Sequence, residues 1–108
     1  MTFAELETML ESIDGMATKV AYRSFPEGEA PSLPFICYEE NNTDNVMADD
    51  KVYEVHTSFD INLYEEFRDL TTEQKIETML NNNDIPWNRY PEWIEDERMW
   101  EITYQVEV

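Results

Sequence analysis

The segment from Val52 to Tyr64 constrains this chain more than any other. Tyr53, Val55, Thr57, Phe59, Ile61 and Leu63 fall on one side of an extended backbone, and Glu54, His56, Ser58, Asp60 and Asn62 fall on the other. A period of two held this long predicts a β-strand with one face against a core and the other facing solvent or a partner. The last segment, Met99 to Val108, repeats the pattern, with Trp100, Ile102, Tyr104, Val106 and Val108 alternating with Glu101, Thr103, Gln105 and Glu107. The chain is therefore expected to build a sheet with two chemically different faces.

Two segments read as helices. Thr2 followed by Glu5 forms a capping box, and Phe3, Leu6, Met9, Leu10 and Ile13 follow at helical spacing, so a helix is predicted from Phe3 to Asp14 and is stopped by Gly15. Thr71 with Gln74 reads as a second capping box that opens a helix to about Asn82, with Ile76, Met79 and Leu80 as its apolar stripe and Pro86 just beyond its end. Three further strands are predicted: Lys19–Arg23, Phe35–Glu40 and Trp87–Glu95, the last joined to the C-terminal strand through Asp96 and Glu97. An exposed loop at about 24–32 carries Pro26, Gly28 and Pro31, and the run Asn41–Asn45 predicts a polar loop at about 41–51. The element order α-β-β-β-α-β-β gives an α+β fold, a mostly antiparallel sheet with two helices packed on one face.

A length of 108 residues suits a single domain, 1–108, and 42% apolar residues supply enough material for one core. The formal charge is −18 and evenly spread: residues 1–50 carry 11 acids and 2 bases, and residues 51–108 carry 14 acids and 5 bases. Such a field repels phosphate, which argues against ordinary nucleic-acid binding and against anionic membranes. The lone Cys37, set among Phe35, Ile36 and Tyr38, reads as a buried inert thiol. No run of apolar residues approaches the length of a membrane helix, and the N-terminus has no basic, signal-like stretch.

Catalytic chemistry finds little to stand on. His56 is the only histidine and has no nucleophile placed beside it by sequence, so it takes no role. Asp49-Asp50, Glu65-Glu66 and Glu95-Asp96-Glu97 lack calcium-loop spacing and read as solvated acidic faces. Gly15 and Gly28 are the only glycines, which excludes a glycine-rich phosphate loop. No catalytic, metal or cofactor residue is assigned, and none of these groups calls for a cofactor. Aromatic residues gather in the last two strands, where Trp100 reads as core. Trp87, Tyr90 and Trp93, together with Pro26 and Pro31 of the exposed loop, are the interface candidates.

The N-terminal amphipathic helix, the Leu33-Pro34-Phe35 segment, the strand ending Ile61-Asn62-Leu63-Tyr64, the helix containing Lys75-Ile76-Glu77-Thr78-Met79-Leu80, and the ending from Trp93-Ile94-Glu95-Asp96-Glu97 to Tyr104 cover most of the chain. In this order and spacing they resemble the tail terminators, or head-to-tail joining (neck) proteins, of long-tailed bacteriophages. The resemblance implies a structural protein of a phage or prophage and no enzyme. It implies a ring, a hexamer, built from copies that are monomeric before assembly. The ring would cap the tail-tube protein, meet a head-completion protein and let DNA pass through its lumen without specific binding. Its place would be the host cytoplasm during assembly and then the virion, with no membrane partner. Head-closure and adaptor proteins of similar size occupy neighbouring layers of the neck, so the layer stays open. An acidic DNA-mimic inhibitor of a DNA-acting enzyme is the alternative, since charge and size fit that class as well.

Overall fold

A computed structural model describes residues 2–48 and 51–107, with 42–48 and 51–57 described as backbone only. The elements run α1 (Phe3–Glu11), β1 (Val20–Tyr22), β2 (Phe35–Ala48), β3 (Lys51–Glu65), α2 (Leu70–Asn82), β4 (Trp87–Ile94) and β5 (Met99–Glu107). The fold is α+β in the order α-β-β-β-α-β-β, as the pattern predicts. The strands form one sheet in the order β1-β2-β3-β5-β4. β1 lies parallel to β2 and every other pairing is antiparallel. α2 carries the chain from β3 across to β4, and β5 then returns between them.

Thr2 caps α1 as expected: its Oγ1 accepts from the Glu5 backbone N–H at 3.1 Å and its own N–H donates to Glu5 Oε1 at 3.2 Å. The helix ends at Glu11, earlier than the spacing suggests. Ser12 donates its hydroxyl back to the Met9 carbonyl at 2.6 Å, and a tighter turn then brings Ile13 and Met16 into the core at 6% and 2% exposure. Gly15 follows at φ 87°, with nothing within 4 Å of where a Cβ would lie. Gly15→Ala therefore tests backbone strain alone and is expected to lower the urea unfolding free energy by about 1 kcal/mol.

α2 starts two residues before the predicted position and is capped by Asp69 rather than Thr71. The Asp69 carboxylate accepts from the Thr71 and Thr72 backbone N–H groups at 3.0 and 3.2 Å. Asp and Thr are both good caps, and Asp69 wins because two N–H groups converge on its Oδ1. Those bonds, with one from the Thr72 hydroxyl, hold its carboxyl below the usual range.

The polar loop predicted at about 41–51 is a correction. Residues 41–48 continue β2 and pair with β3 as far as Ala48↔Lys51, whereas Asp49 and Asp50 lie outside the described residues. Asn and Asp have poor strand propensity, but an alternating partner supplies the ladder hydrogen bonds that override it. The register shifts between Glu40↔Phe59 and Thr43↔Thr57, where β2 carries one residue more than β3. β1 pairs only with 36–38 and β5 only with 58–65, so the outer part of the β2–β3 hairpin is a two-stranded ribbon extending past the sheet.

Both helices pack on the same sheet face. Leu6 and Leu10 of α1 and Ile76 and Leu80 of α2 meet Ile36, Phe59, Ile61, Leu63, Ile102 and Tyr104, all at 0% exposure. The register explains the match: Ile36↔Leu63↔Ile102 and Tyr38↔Ile61↔Tyr104 form continuous rows across three strands. Facing pairs in an antiparallel ladder point to the same side, so one alternation reinforces the next.

Candidate functional site

The other face of the sheet has no helix on it. Its rows run Phe35–Tyr64–Glu101–Glu92, Cys37–Asn62–Thr103–Tyr90 and Glu39–Asp60–Gln105–Asn88, with Ser58 opposite Glu107 at one end. Five carboxylates, Glu39, Asp60, Glu92, Glu101 and Glu107, stand on this face, and among its described side chains no strand position holds Lys or Arg. Two of the facing pairs, Glu39↔Asp60 and Glu92↔Glu101, set like charges directly opposite each other. Such pairs destabilise a sheet, so the folded chain tolerates an electrostatic cost to present this surface.

Uncharged groups order the acids. Tyr64 donates its hydroxyl to Glu101 Oε2 at 2.7 Å, and the Thr103 hydroxyl donates to Asn62 Oδ1 at 2.8 Å. Burial and the adjacent Glu101 carboxylate both raise the Tyr64 phenol, which stays neutral as a donor. At one margin Arg23 Nε lies 3.7 Å from Glu39 Oε2, a solvent-screened contact. The corner nearest the 24–32 loop is closed: Phe25 meets Phe35 edge-on at 5.4 Å, and Cys37 beside it is 4% exposed. Burial pushes the Cys37 thiol up to about 11, in keeping with an unreactive core cysteine.

The interface candidates do not form one cluster. Tyr90 stands on the open face at 52% exposure, whereas Trp87 and Trp93 belong to the helix-bearing face. Trp87 is half-buried, packs edge-on against Tyr104 at 5.7 Å and donates its indole N–H to Asn81 Oδ1 at 2.9 Å. Trp93 is 37% exposed, meets Trp100 at 5.6 Å and lies under the Arg98 guanidinium. Trp100 is also half-buried against the core, under Arg68. Pro26 is exposed and Pro31 half-exposed in the loop, where Gly28 turns the chain at φ 79°. The His56 side chain lies outside the described residues.

Glu65 corrects the reading of Glu65-Glu66 as a solvated pair. Glu65 is 2% exposed, and Glu73 on α2 is 1% exposed. Arg68 grips Glu73 with Nε and Nη2, each at 2.9 Å, and Arg89 Nη1 lies 3.6 Å from Glu73 and 2.9 Å from Glu77. Tyr104 donates its hydroxyl to Glu77 Oε2 at 2.7 Å. The signal was present in the spacing: Glu65 extends the Phe59-Ile61-Leu63 side of β3, and Glu73 precedes Ile76 by one helical turn.

Two concavities are lined by described residues. A groove of about 530 Å³ between the end of α1 and α2 is bridged by Lys75 and Asp14 at 3.4 Å. A smaller cavity of about 220 Å³ lies among Leu33, Pro34, Glu65, Glu66, Phe67 and Asp69. Neither holds a nucleophile beside a base, and among the described residues no three potential metal ligands converge. Of the two faces, the open one carries no helix among the described residues and gathers five carboxylates. Compared with protein-family models and with curated proteins, the chain matches none.

Proposed function

We propose that this chain is a structural protein of a long-tailed phage or prophage, a tail terminator or head-to-tail joining protein. It caps the tail tube and connects it to the head as a ring, with the open sheet face turned toward the DNA path. The observation that carries this reading is the carboxylate-rich face, on which no described strand side chain is a lysine or arginine. A lumen lined this way repels phosphates, so DNA slides through without sticking, the reverse of the counterion-releasing contacts made by DNA binders. The projecting β2–β3 ribbon fits the same role. A two-stranded ribbon is marginal by itself and gains most when it packs on a neighbour.

Six copies at −18 bring −108 into one ring. Apolar and aromatic contacts must outweigh that repulsion, and salt assists by shortening the Debye length to about 8 Å near physiological ionic strength. Sedimentation is expected to show association increasing from low to moderate salt, and added tail tubes of the parent phage are expected to be capped. Association that falls with rising salt, or tubes left bare, would reject the ring. The alternating like-charge pairs also suit a DNA mimic, which would remain monomeric and bind a basic DNA-acting enzyme in competition with duplex DNA.

A further inference from the structure

Glu65 and Glu73 face each other across the junction of β3 and α2, within hydrogen-bonding reach and almost wholly out of solvent. Their surroundings are not equivalent. Both oxygens of Glu73 accept from the Arg68 guanidinium, which fixes Glu73 as the charged member. Glu65 Oε2 receives only the Asp69 backbone N–H at 3.4 Å, and Glu65 Oε1 is buried with no donor to it at all. A buried carboxylate oxygen left in that state is costly, and two adjacent buried carboxylates are costlier still. A proton on Glu65 removes both problems, because the acid O–H can donate to Glu73.

We propose that Glu65 is protonated in the folded protein and bonds to the Glu73 carboxylate, forming a latch between the end of β3 and the start of α2 that opens when the proton is lost. The Arg68 guanidinium attracts the charged form of Glu65 but is committed to Glu73 through both of its hydrogen bonds, and the other nearby charges favour the proton. Asp69 and Glu66 from the turn, and Glu77 from α2, add negative charge. Arg68 and Arg89 are spent on Glu73 and Glu77, and the Tyr104 phenol, raised by burial, stays neutral. Burial first, and then the bond to Glu73, pushes Glu65 up to about 8. Burial also works to raise Glu73, but the hydrogen bonds from Arg68 and Glu65 hold it below the usual range. The latch controls the turn that carries Phe67 and the adjoining Leu70, apolar side chains exposed at 75% and 64%.

The sign of the effect follows from proton counting. Glu65 binds its proton more tightly when folded, so its contribution is complete below the unfolded glutamate value of about 4.3. It is lost progressively as pH rises toward about 8. E65Q keeps the side chain's size and replaces the acid proton with an amide N–H donor. Folding constants from urea titration are therefore expected to fall in wild type relative to E65Q, by about tenfold per pH unit within that window. A ratio independent of pH overturns the proposal.

Infrared spectroscopy supplies a direct readout. Wild type at pH 7 should show a carboxylic-acid C=O band that E65Q lacks, and its absence refutes the protonated Glu65. Should E65Q fail to fold, glutamate isotope editing of wild type decides by that band alone. Above pH 8, amide exchange at Asp69 should quicken relative to the middle of α2 in wild type. Unchanged protection at Asp69 would mean that the pair does not act as a latch.

Discussion

Phe59→Ala is expected to lower the unfolding free energy by about 4 kcal/mol. Phe59 is fully buried on the helix-bearing face of β3, opposite Glu40 and Val106 in the ladder, and it meets the Phe3 ring of α1 edge-on at 5.3 Å. Its removal loses the transfer free energy of the ring and leaves a cavity under the first helix that a sheet held on both sides cannot collapse to fill. Phe59→Leu keeps most of the apolar contact and should cost about 1–2 kcal/mol. Urea titration checks both: the midpoint should move in that order while the slope stays constant. Equal losses would mean that Phe59 is not the packing centre of the α1 layer.

Arg68→Ala is expected to cost about 3 kcal/mol, the low end of the range for breaking a buried ion pair by removing one partner. Glu73 is 1% exposed and takes both guanidinium bonds at 2.9 Å, so alanine leaves a buried carboxylate with Arg89 at 3.6 Å as its nearest cation. The Arg68 side chain is itself 30% exposed, which lets water enter the vacated space and keeps the loss from being greater. Arg68→Lys retains the charge without the two-pronged geometry and should lie between wild type and alanine. The pH dependence runs opposite to that of Glu65. The folded Glu73 carboxyl is held below its usual range, so its contribution is present above the unfolded value and is lost as pH falls through the folded one. The difference between wild type and Arg68→Ala should therefore be greatest near neutrality and shrink in acid. Adding Glu73→Gln should recover much of the loss, because the uncompensated charge is gone. A full loss persisting in that double variant would assign the effect to lost Arg68 packing over Trp100.

These expectations locate stability on the helix-bearing face, whose core rows the opposite face does not share. Polar substitutions among Asn88, Gln105 and Thr103 touch none of the core rows. Under the proposed ring, substitutions on the open face should alter DNA passage and those on the ribbon should disable assembly without unfolding the protein, whereas mutations at Phe59 or Arg68 would act through loss of the fold.

The sequence by itself determined the elements and the two-sidedness of the sheet. Alternation in β3 and β5 depends only on the pleat of an extended chain, so it reads directly from residue order, as does the Thr2–Glu5 capping box. Local pattern also marked Cys37 as buried, although what covers it is the 24–32 loop, whose Phe25 closes that corner of the open face. Tertiary structure decided what depends on partners distant in sequence. Residues 41–48 are strand because β3 pairs with them, against their own propensity. The helix ends were a local matter instead: Asp69 caps α2, and α1 stops at Glu11, through hydrogen bonds spanning two or three residues that compete with the predicted boundaries. The Glu65–Glu73 pair came from neither motif nor composition. Glu65, which read as ordinary surface charge, became part of a buried couple with Glu73 only when the end of β3 and the first turn of α2 were brought together under Arg68.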